Sequence, residues 1–364
     1  MKTAGIYIHV PFCNGKCPYC DFYSHISDEA EFDIYTSALC DKILTSSYDF
    51  TADTLYFGGG TPGLIGADRI GKITGAVSER FGFSDNVEIT VEINPTNDML
   101  DFDTLAKAGV NRISMGLQSA DDYELLFLGR KHDSKKASEC MYRARKSGFD
   151  NISLDLMLAL PGQTKEKLRK SAEFCVRHDA KHISAYILKI EEGTVFYHNR
   201  NKMVLPDDDE TAELYEYFCT LMKEYGYEHY EISNFCKTGY ESRHNLKYWH
   251  DEEYIGFGPS AHSFYNRTRF YVPRNMQQFY DGITVSDGTG GDEEEFVMLG
   301  LRLSEGITNA GYKSRFGKDI PSAYKNNAHM LEKAGLVRIT GEGFGLTEKG
   351  FMVSNAVISK ILEG

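Results

Sequence analysis

At 364 residues, with 41% hydrophobic and 26% charged side chains, the chain has the make-up of a globular protein with room for one large domain, or a large and a small one. Lys+Arg 40 against Asp+Glu 53 gives a net charge of −13, which excludes non-specific attraction to nucleic acid or anionic lipid over most of the surface. No apolar run of roughly 18 residues is present, so no segment is expected to span a bilayer. The opening Met-Lys-Thr-Ala-Gly runs straight into a β-rich stretch and leaves no room for a signal peptide.

The first β-rich run, Ile6–Val10, leads directly into Cys13-Asn-Gly-Lys-Cys17-Pro-Tyr-Cys20. Three thiols this close make a metal site with one corner unfilled. Structural zinc takes four protein ligands, and no fourth Cys or His follows at finger spacing. A four-iron cube needs one ligand per iron, so three thiolates leave one iron open. The other cysteines (Cys40, Cys140, Cys175, Cys219, Cys236) are scattered, which favours free thiols in a reducing cytoplasm over a disulfide framework.

Further β-rich runs follow at Thr54–Phe57, Val87–Ile93, Arg112–Leu117, Ile152–Met157 and His182–Leu188. Helical periodicity fills the gaps over Phe32–Leu44, Ala67–Phe81, Leu100–Ala108, Lys135–Ser147 and Lys165–Asp179. Repeats of this kind imply parallel strands, either a doubly wound sheet or an incomplete barrel. Polar residues decide between them. The cysteine loop, Gly58-Gly-Gly-Thr-Pro62, Glu92, Gln118, Asp155 and Tyr186 each lie in or just after a different strand. A barrel collects all strand ends at one mouth, whereas a doubly wound sheet concentrates them at a switch point. The expectation is an α/β fold, a partial (β/α)6 barrel of the TIM type over residues 1–205.

Past residue 205 the rhythm changes. Asp207–Tyr225 is expected to be a helix opened by acids, and an aromatic-rich barrel extension runs on to residue 283. Thr284–Asp292 has the composition of a linker. Residues 293–364 show helices at Glu293–Leu303, Ile307–Phe316 and Ser322–Ala334, then Leu336–Thr340, a Gly-rich turn and Thr347–Leu362. That order suggests a helical, winged-helix-like domain. From Asp292 to Gly364 there are 9 Lys+Arg against 10 Asp+Glu, so a DNA-binding stripe is lacking and a cover or docking surface is expected.

Cys-x3-Cys-x2-Cys with Tyr19 resembles the cluster motif of the radical S-adenosylmethionine superfamily. The wider Tyr7-Ile-His-Val-Pro-Phe-Cys13 is similar to the coproporphyrinogen dehydrogenase branch and its relatives, the HemW-type haem chaperones. Gly59-Gly60-Thr61-Pro62, Glu92-Ile-Asn-Pro95, Arg112 to Gln118, Gly129-Arg130, and Asp155 with Leu160-Pro-Gly-Gln-Thr164 match that branch in order, and the tail also resembles the family. The resemblance implies a [4Fe-4S] cluster on Cys13, Cys17 and Cys20. It places S-adenosylmethionine on the open iron, cleaved there to a 5′-deoxyadenosyl radical with electrons from a donor protein. It assigns Gly59, Gly60 and Thr61 to close backbone approach, Glu92 to ribose hydroxyls and Arg130 to the methionyl carboxylate. Gln118 and Asp155 complete the lining, with Tyr7 and Tyr19 near the ligand.

His244-Asn-Leu-Lys-Tyr-Trp249 resembles the string that marks the chaperone branch, where the His is implicated in holding haem. By chemistry alone it reads sooner as a packed, hydrogen-bonded side chain than as a ligand. His250 is a spare candidate, and His262 could be structural or functional. The dehydrogenase carries a further Cys two residues after the third, where this chain has Phe22, and a longer segment ahead of the barrel than the six residues before Tyr7. Both differences favour a haem chaperone that passes haem to haemoproteins. The alternative is an oxygen-independent coproporphyrinogen III oxidase of porphyrin biosynthesis, so whether the chain is an enzyme stays open. No nucleic-acid partner is expected, and peripheral membrane contact is left open.

Overall fold

The computed structural model describes residues 2–96 and 100–363; Met1, residues 97–99 and Gly364, which fall within the first and third predicted segments, lie outside the described residues. Strand and helix alternate through the first half: β1 (Thr3–Val10), α1 (Glu29–Leu44), β2 (Thr51–Gly59), α2 (Ala67–Phe81), β3 (Phe83–Ile93), α3 (Phe102–Lys107), β4 (Arg112–Gln118), α4 (Asp122–Phe127), α5 (Ser134–Lys146), β5 (Asn151–Leu158), α6 (Lys165–Arg177) and β6 (His182–Ile187). Neighbouring strands are parallel and stand in chain order from β1 to β6. That order winds in one direction, as in a barrel; a doubly wound sheet would reverse. β6 pairs next with an antiparallel strand and not with β1, so the ring stays open.

Covering on both faces explains the sequence of these strands. β4 is buried along all but its last residue and β5 nearly so, as expected for parallel strands covered on both faces and rich in Ile, Leu and Met. The acid excess has a local use. Asp28, Asp101, Asp121, Asp133, Asp207 and Asp292 each cap a helix by accepting a backbone N–H, worth about 1 kcal/mol apiece.

The chain then continues through α7 (Val195–Asn199), α8 (Asp208–Glu224), β7 (Glu228–Glu231), β8 (Asn234–Cys236), α9 (Arg243–Trp249), β9 (Tyr254–Phe257), β10 (His262–Tyr265), β11 (Thr268–Tyr271), α10 (Met276–Tyr280) and β12 (Val285–Thr289). β8 and β7 extend the sheet beyond β6, while β9 to β12 extend it on the far side of β1. α9 therefore bridges the two edges of the open barrel. The stretch expected as a linker is instead largely β12, an edge strand paired with β11. All five of its residues are exposed, so it carries none of the apolar alternation that reveals a half-buried strand.

The last segment comprises α11 (Glu293–Gly300), β13 (Ile307–Thr308), α12 (Asn309–Phe316), α13 (Ser322–Lys333), β14 (Val337–Ile339), β15 (Gly343–Leu346), α14 (Glu348–Met352) and α15 (Ser354–Leu362). It has its own core, in which Leu301, Tyr312, Phe344 and Ile361 take part. The winged-helix-like order expected there holds a sheet of three short strands, β13 and β14 each pairing with β15, and the stretch Thr347–Leu362 forms two helices that part at Val353. Among the described residues no helix is long and apolar enough to cross a membrane.

Candidate functional site

The cysteine loop is pinned at both ends. Cys13 N–H donates to the His25 carbonyl at 3.0 Å, and His25 N–H to the Pro11 carbonyl at 2.9 Å. On its other side the turn after β2 is stitched to β1: Gly60 N–H donates to Val10 O and Thr61 N–H to Phe12 O, both at 2.8 Å. A Cβ on residue 60 would stand 2.5 Å from Phe12 O and 2.8 Å from Val10 O, so only glycine allows this approach. Gly60→Ala is expected to cost about 1–3 kcal/mol, as overpacking does, read as a lower melting temperature; an unchanged melt would show that the stitching is slack.

Within the loop, Cys20 N–H donates to Cys17 O at 3.1 Å, and Pro18 O accepts from Phe196 N–H at 2.9 Å. The three loop cysteines stay half-exposed and unpaired, whereas Cys140, Cys175, Cys219 and Cys236 are buried. They line a cavity of about 510 Å³ together with Tyr19, Gly59, Gly60, Thr61, Glu92, Gln118, Arg130 and Asp155. These residues come from the loop after β1, from the C-terminal parts of β2, β3, β4 and β5 or just beyond them, and, for Arg130, from the turn between α4 and α5, so the mouth expected from the sequence is assembled.

Arg130 is the hub. Its Nη1 lies 3.8 Å from Cys17 Sγ and 3.4 Å from Tyr19 OH, and its Nη2 donates to Asn94 Oδ1 at 2.5 Å and Gly116 O at 2.7 Å. Asn94 in turn donates to Thr61 Oγ1 at 2.9 Å, and Thr61 Oγ1 is 3.4 Å from Cys13 Sγ. One guanidinium thus braces both the cysteine loop and the turn after β2. Its Nε is buried with no hydrogen-bond partner, a donor left over in the wall of a cavity.

Opposite charges meet across the cavity. Glu92 accepts from Tyr56 OH at 2.8 Å, and burial, with Asp155 adding repulsion, pushes its carboxyl up to about 7 against the pull of Tyr56, the Gly59 N–H and Arg112. Asp155 is raised by burial too, opposed by Ser184, Arg112 and Ser114, whose Oγ stands 3.2 Å from Asp155 Oδ1. Gln118 has φ 69°, a left-handed conformation held where the β4–β5 register breaks.

Two expected residues lie elsewhere. Tyr7 is packed inside the barrel, its hydroxyl 3.2 Å from His9 Nδ1. His244 is 1% exposed, and both ring nitrogens are engaged, Nδ1 with Thr54 Oγ1 at 2.7 Å and Nε2 with Tyr248 OH at 2.9 Å. Burial lowers its pKa to about 3, so the ring is neutral. Thr54 is near the start of β2, so His244 plugs the end of the barrel away from the cysteines. His250 is partly exposed beside Glu305, and His262 stacks on Tyr271. Sequence reasoning passed over Asn94 and Tyr56 as site residues. Asn94 stands just past the end of β3, two residues after Glu92, where the alternation of the strand would still turn it toward the same side.

The donor set fits the implied groups. Three free thiols face one cavity beside a cation, a spare buried N–H is available to an anion, and Gly59 and Gly60 leave backbone bare. Residues 7–175 match the Radical SAM superfamily model and residues 293–353 the HemN C-terminal domain. The chain is 35% identical to the heme chaperone HemW of Bacillus subtilis (strain 168), across 100% of this chain and 99% of that one. It is 32% identical to the mitochondrial radical S-adenosyl methionine domain-containing protein 1 of Danio rerio, over 99% of this chain and 87% of that protein. The solved structure of coproporphyrinogen III oxidase (HemN) from Escherichia coli superposes with a TM-score of 0.83 at 19% identity, over 99% of this chain and 90% of that chain, which establishes the shared fold. With the cysteine-lined mouth and end-to-end similarity to curated relatives in agreement, the chain belongs to the HemW family of haem chaperones within the radical SAM superfamily.

Proposed function

We propose that the chain holds a [4Fe-4S] cluster on Cys13, Cys17 and Cys20 with S-adenosylmethionine beside it, binds haem, and delivers haem to haemoproteins in the cytoplasm. The observation that carries this is the similarity to HemW proteins over the full length, C-terminal domain included. When bound, the cluster supplies one-electron chemistry, fed by a donor protein.

The protein's own residues bind and orient. Arg130 offers its unpartnered Nε to the methionyl carboxylate while its two Nη groups hold the cavity walls together. Glu92, steadied by Tyr56, receives the ribose hydroxyls. Gly59, Gly60 and Thr61 present backbone to the methionyl part, with Gln118, Asp155 and Tyr19 around it. Tyr7 acts from behind this wall. His244 has no free nitrogen in this conformation, so it meets haem iron only after its ring has let go of Thr54 on β2 or of Tyr248 on its own helix. At the position of the dehydrogenase's further cysteine stands Phe22, 60% exposed at the cavity rim, which supports the chaperone over a decarboxylase.

The test is a haem titration of anaerobically reconstituted protein, followed by mixing with apomyoglobin. Saturable binding at about one haem per chain and transfer to the acceptor are expected, with affinity reduced about tenfold or more in His244→Ala at unchanged iron content, as for loss of an axial ligand. Turnover of coproporphyrinogen without haem binding would replace the proposal by its enzymatic rival.

A further inference from the structure

Between Glu92 in the cavity wall and His244 at the plugged end of the barrel stands Tyr56 on β2, which touches both. Its hydroxyl donates to Glu92 Oε1 at 2.8 Å. Its ring lies on the His244 imidazole, centroids 5.2 Å apart and planes at 27°, with Tyr7 alongside at 6.2 Å and 25°. The packing leaves it little freedom. A Cβ on Gly58 would be 3.0 Å from Tyr56 Cε1, 3.0 Å from Tyr7 Cε2 and 3.2 Å from Glu92 Oε1, so the bare backbone at 58 is what lets the three side chains converge.

The floor beneath Tyr56 is equally fixed. His244 is held by Thr54 and Tyr248 through its ring, and by Glu88 Oε1 through its backbone N–H at 3.1 Å. A ring clamped at both nitrogens gives a rigid surface, and an aromatic laid on it has one orientation available. Each link in the column from Thr54 through His244 and Tyr56 to Glu92 is therefore a single-position contact.

We infer that Tyr56 is a positioning residue for the cosubstrate: braced from below by His244, it fixes the Glu92 carboxylate in the orientation that accepts two hydroxyl groups. The inference rests on the S-adenosylmethionine site proposed above. It also gives His244 a task in this conformation that needs no iron. The other groups facing Glu92 are Asp155 on β5, Arg112 on β4, Tyr7 on β1, Tyr186 on β6 and Tyr248 on α9. Of these Arg112 alone is cationic, and it acts without a hydrogen bond to Glu92. Removing the Tyr56 hydroxyl takes away a donor that favours the ionised carboxylate, so ionisation moves to higher pH and the carboxylate loses its orientation.

Tyr56→Phe keeps the ring and its stacking, so the variant retains the packing of the wild type. The first measurement is infrared titration of protein carrying ¹³C-labelled glutamate, with Glu92→Gln identifying the band. The Glu92 carboxyl is expected to titrate about one pH unit higher in Tyr56→Phe, the equivalent of one lost hydrogen bond. The second is equilibrium dialysis of S-adenosylmethionine against the reconstituted protein. The dissociation constant is expected to rise about five- to tenfold at neutral pH, with the gap narrowing as pH rises past the shifted ionisation. A band that does not move in Tyr56→Phe overturns the inference whatever the cosubstrate does. So does a shifted band with binding, and its pH profile, equal to wild type. A shifted band in a protein whose cluster-loaded wild type binds no S-adenosylmethionine sustains Tyr56 as the anchor of Glu92 and removes the proposed cosubstrate.

Discussion

Replacing Cys17 by serine is expected to strip the protein of iron, from about four atoms per chain after reconstitution to near zero, with loss of the visible charge-transfer absorption. The effect is all-or-none because two thiolates and the pinned loop leave half the cube without ligands. Serine is a poor substitute, its hydroxyl remaining protonated where the thiol gives a soft anion. Cys17 is half-exposed and absent from the packed core, so far-ultraviolet dichroism and the melting curve of the metal-free protein should match wild type. Cys40→Ser provides the contrast: Cys40 sits half-buried on α1, away from the cavity lining, and its loss should leave iron content unchanged. Iron retained at wild-type level in Cys17→Ser would mean that another side chain completes the site.

Asp251→Ala should be the most damaging change remote from the cavity, at about 3 kcal/mol in urea denaturation. Asp251 lies two residues past the end of α9, and its side chain is 0% exposed between two arginines. Arg269 of β11 reaches Oδ1 at 3.2 Å. Arg315 of α12 reaches Oδ2 and also the backbone carbonyl, the latter at 3.1 Å. Arg269 pairs in addition with Glu295 of α11 at 2.7 Å. One carboxylate therefore ties the barrel extension to the C-terminal domain. The two guanidinium groups are 21% and 32% exposed, which keeps the penalty of stranding them below that of fully buried charges. Backbone adds to it, because residue 251 has φ 53°, a conformation that Asp tolerates and Ala resists. Asp251→Asn, which keeps that tolerance, should lose about half as much. A cost under about 1 kcal/mol for Ala would show that the domains are held by their apolar contacts alone.

Cysteine spacing and the positions of Glu92, Gln118 and Asp155 could be read from the chain because local pattern fixes them. A parallel strand ends at the mouth, and a polar residue there has few other uses. His244 could not be placed in this way. Its partner Thr54 lies 190 residues earlier, and no periodicity in an aromatic-rich stretch tells which way a two-turn helix points. Asn94 was hidden by the attention given to charge, although its amide is what joins Arg130 to Thr61. β12 escaped notice for the opposite reason, since an edge strand open to water on both faces needs no apolar side chains.

The place of β1 in the sheet has a consequence for how the molecule is made. Its two neighbours are β2, which ends at Gly59, and β9, which ends at Phe257. On a ribosome adding 5–20 residues per second, the interval between them lasts on the order of 10–40 s. Throughout it the nascent chain presents the N-terminal strand with one edge unpaired, and its cysteine turn hangs from a half-built support. Contacts of such long sequence separation form late. The support of the cysteine turn is therefore complete only once residues as far as Phe257 have been made and β9 has joined β1.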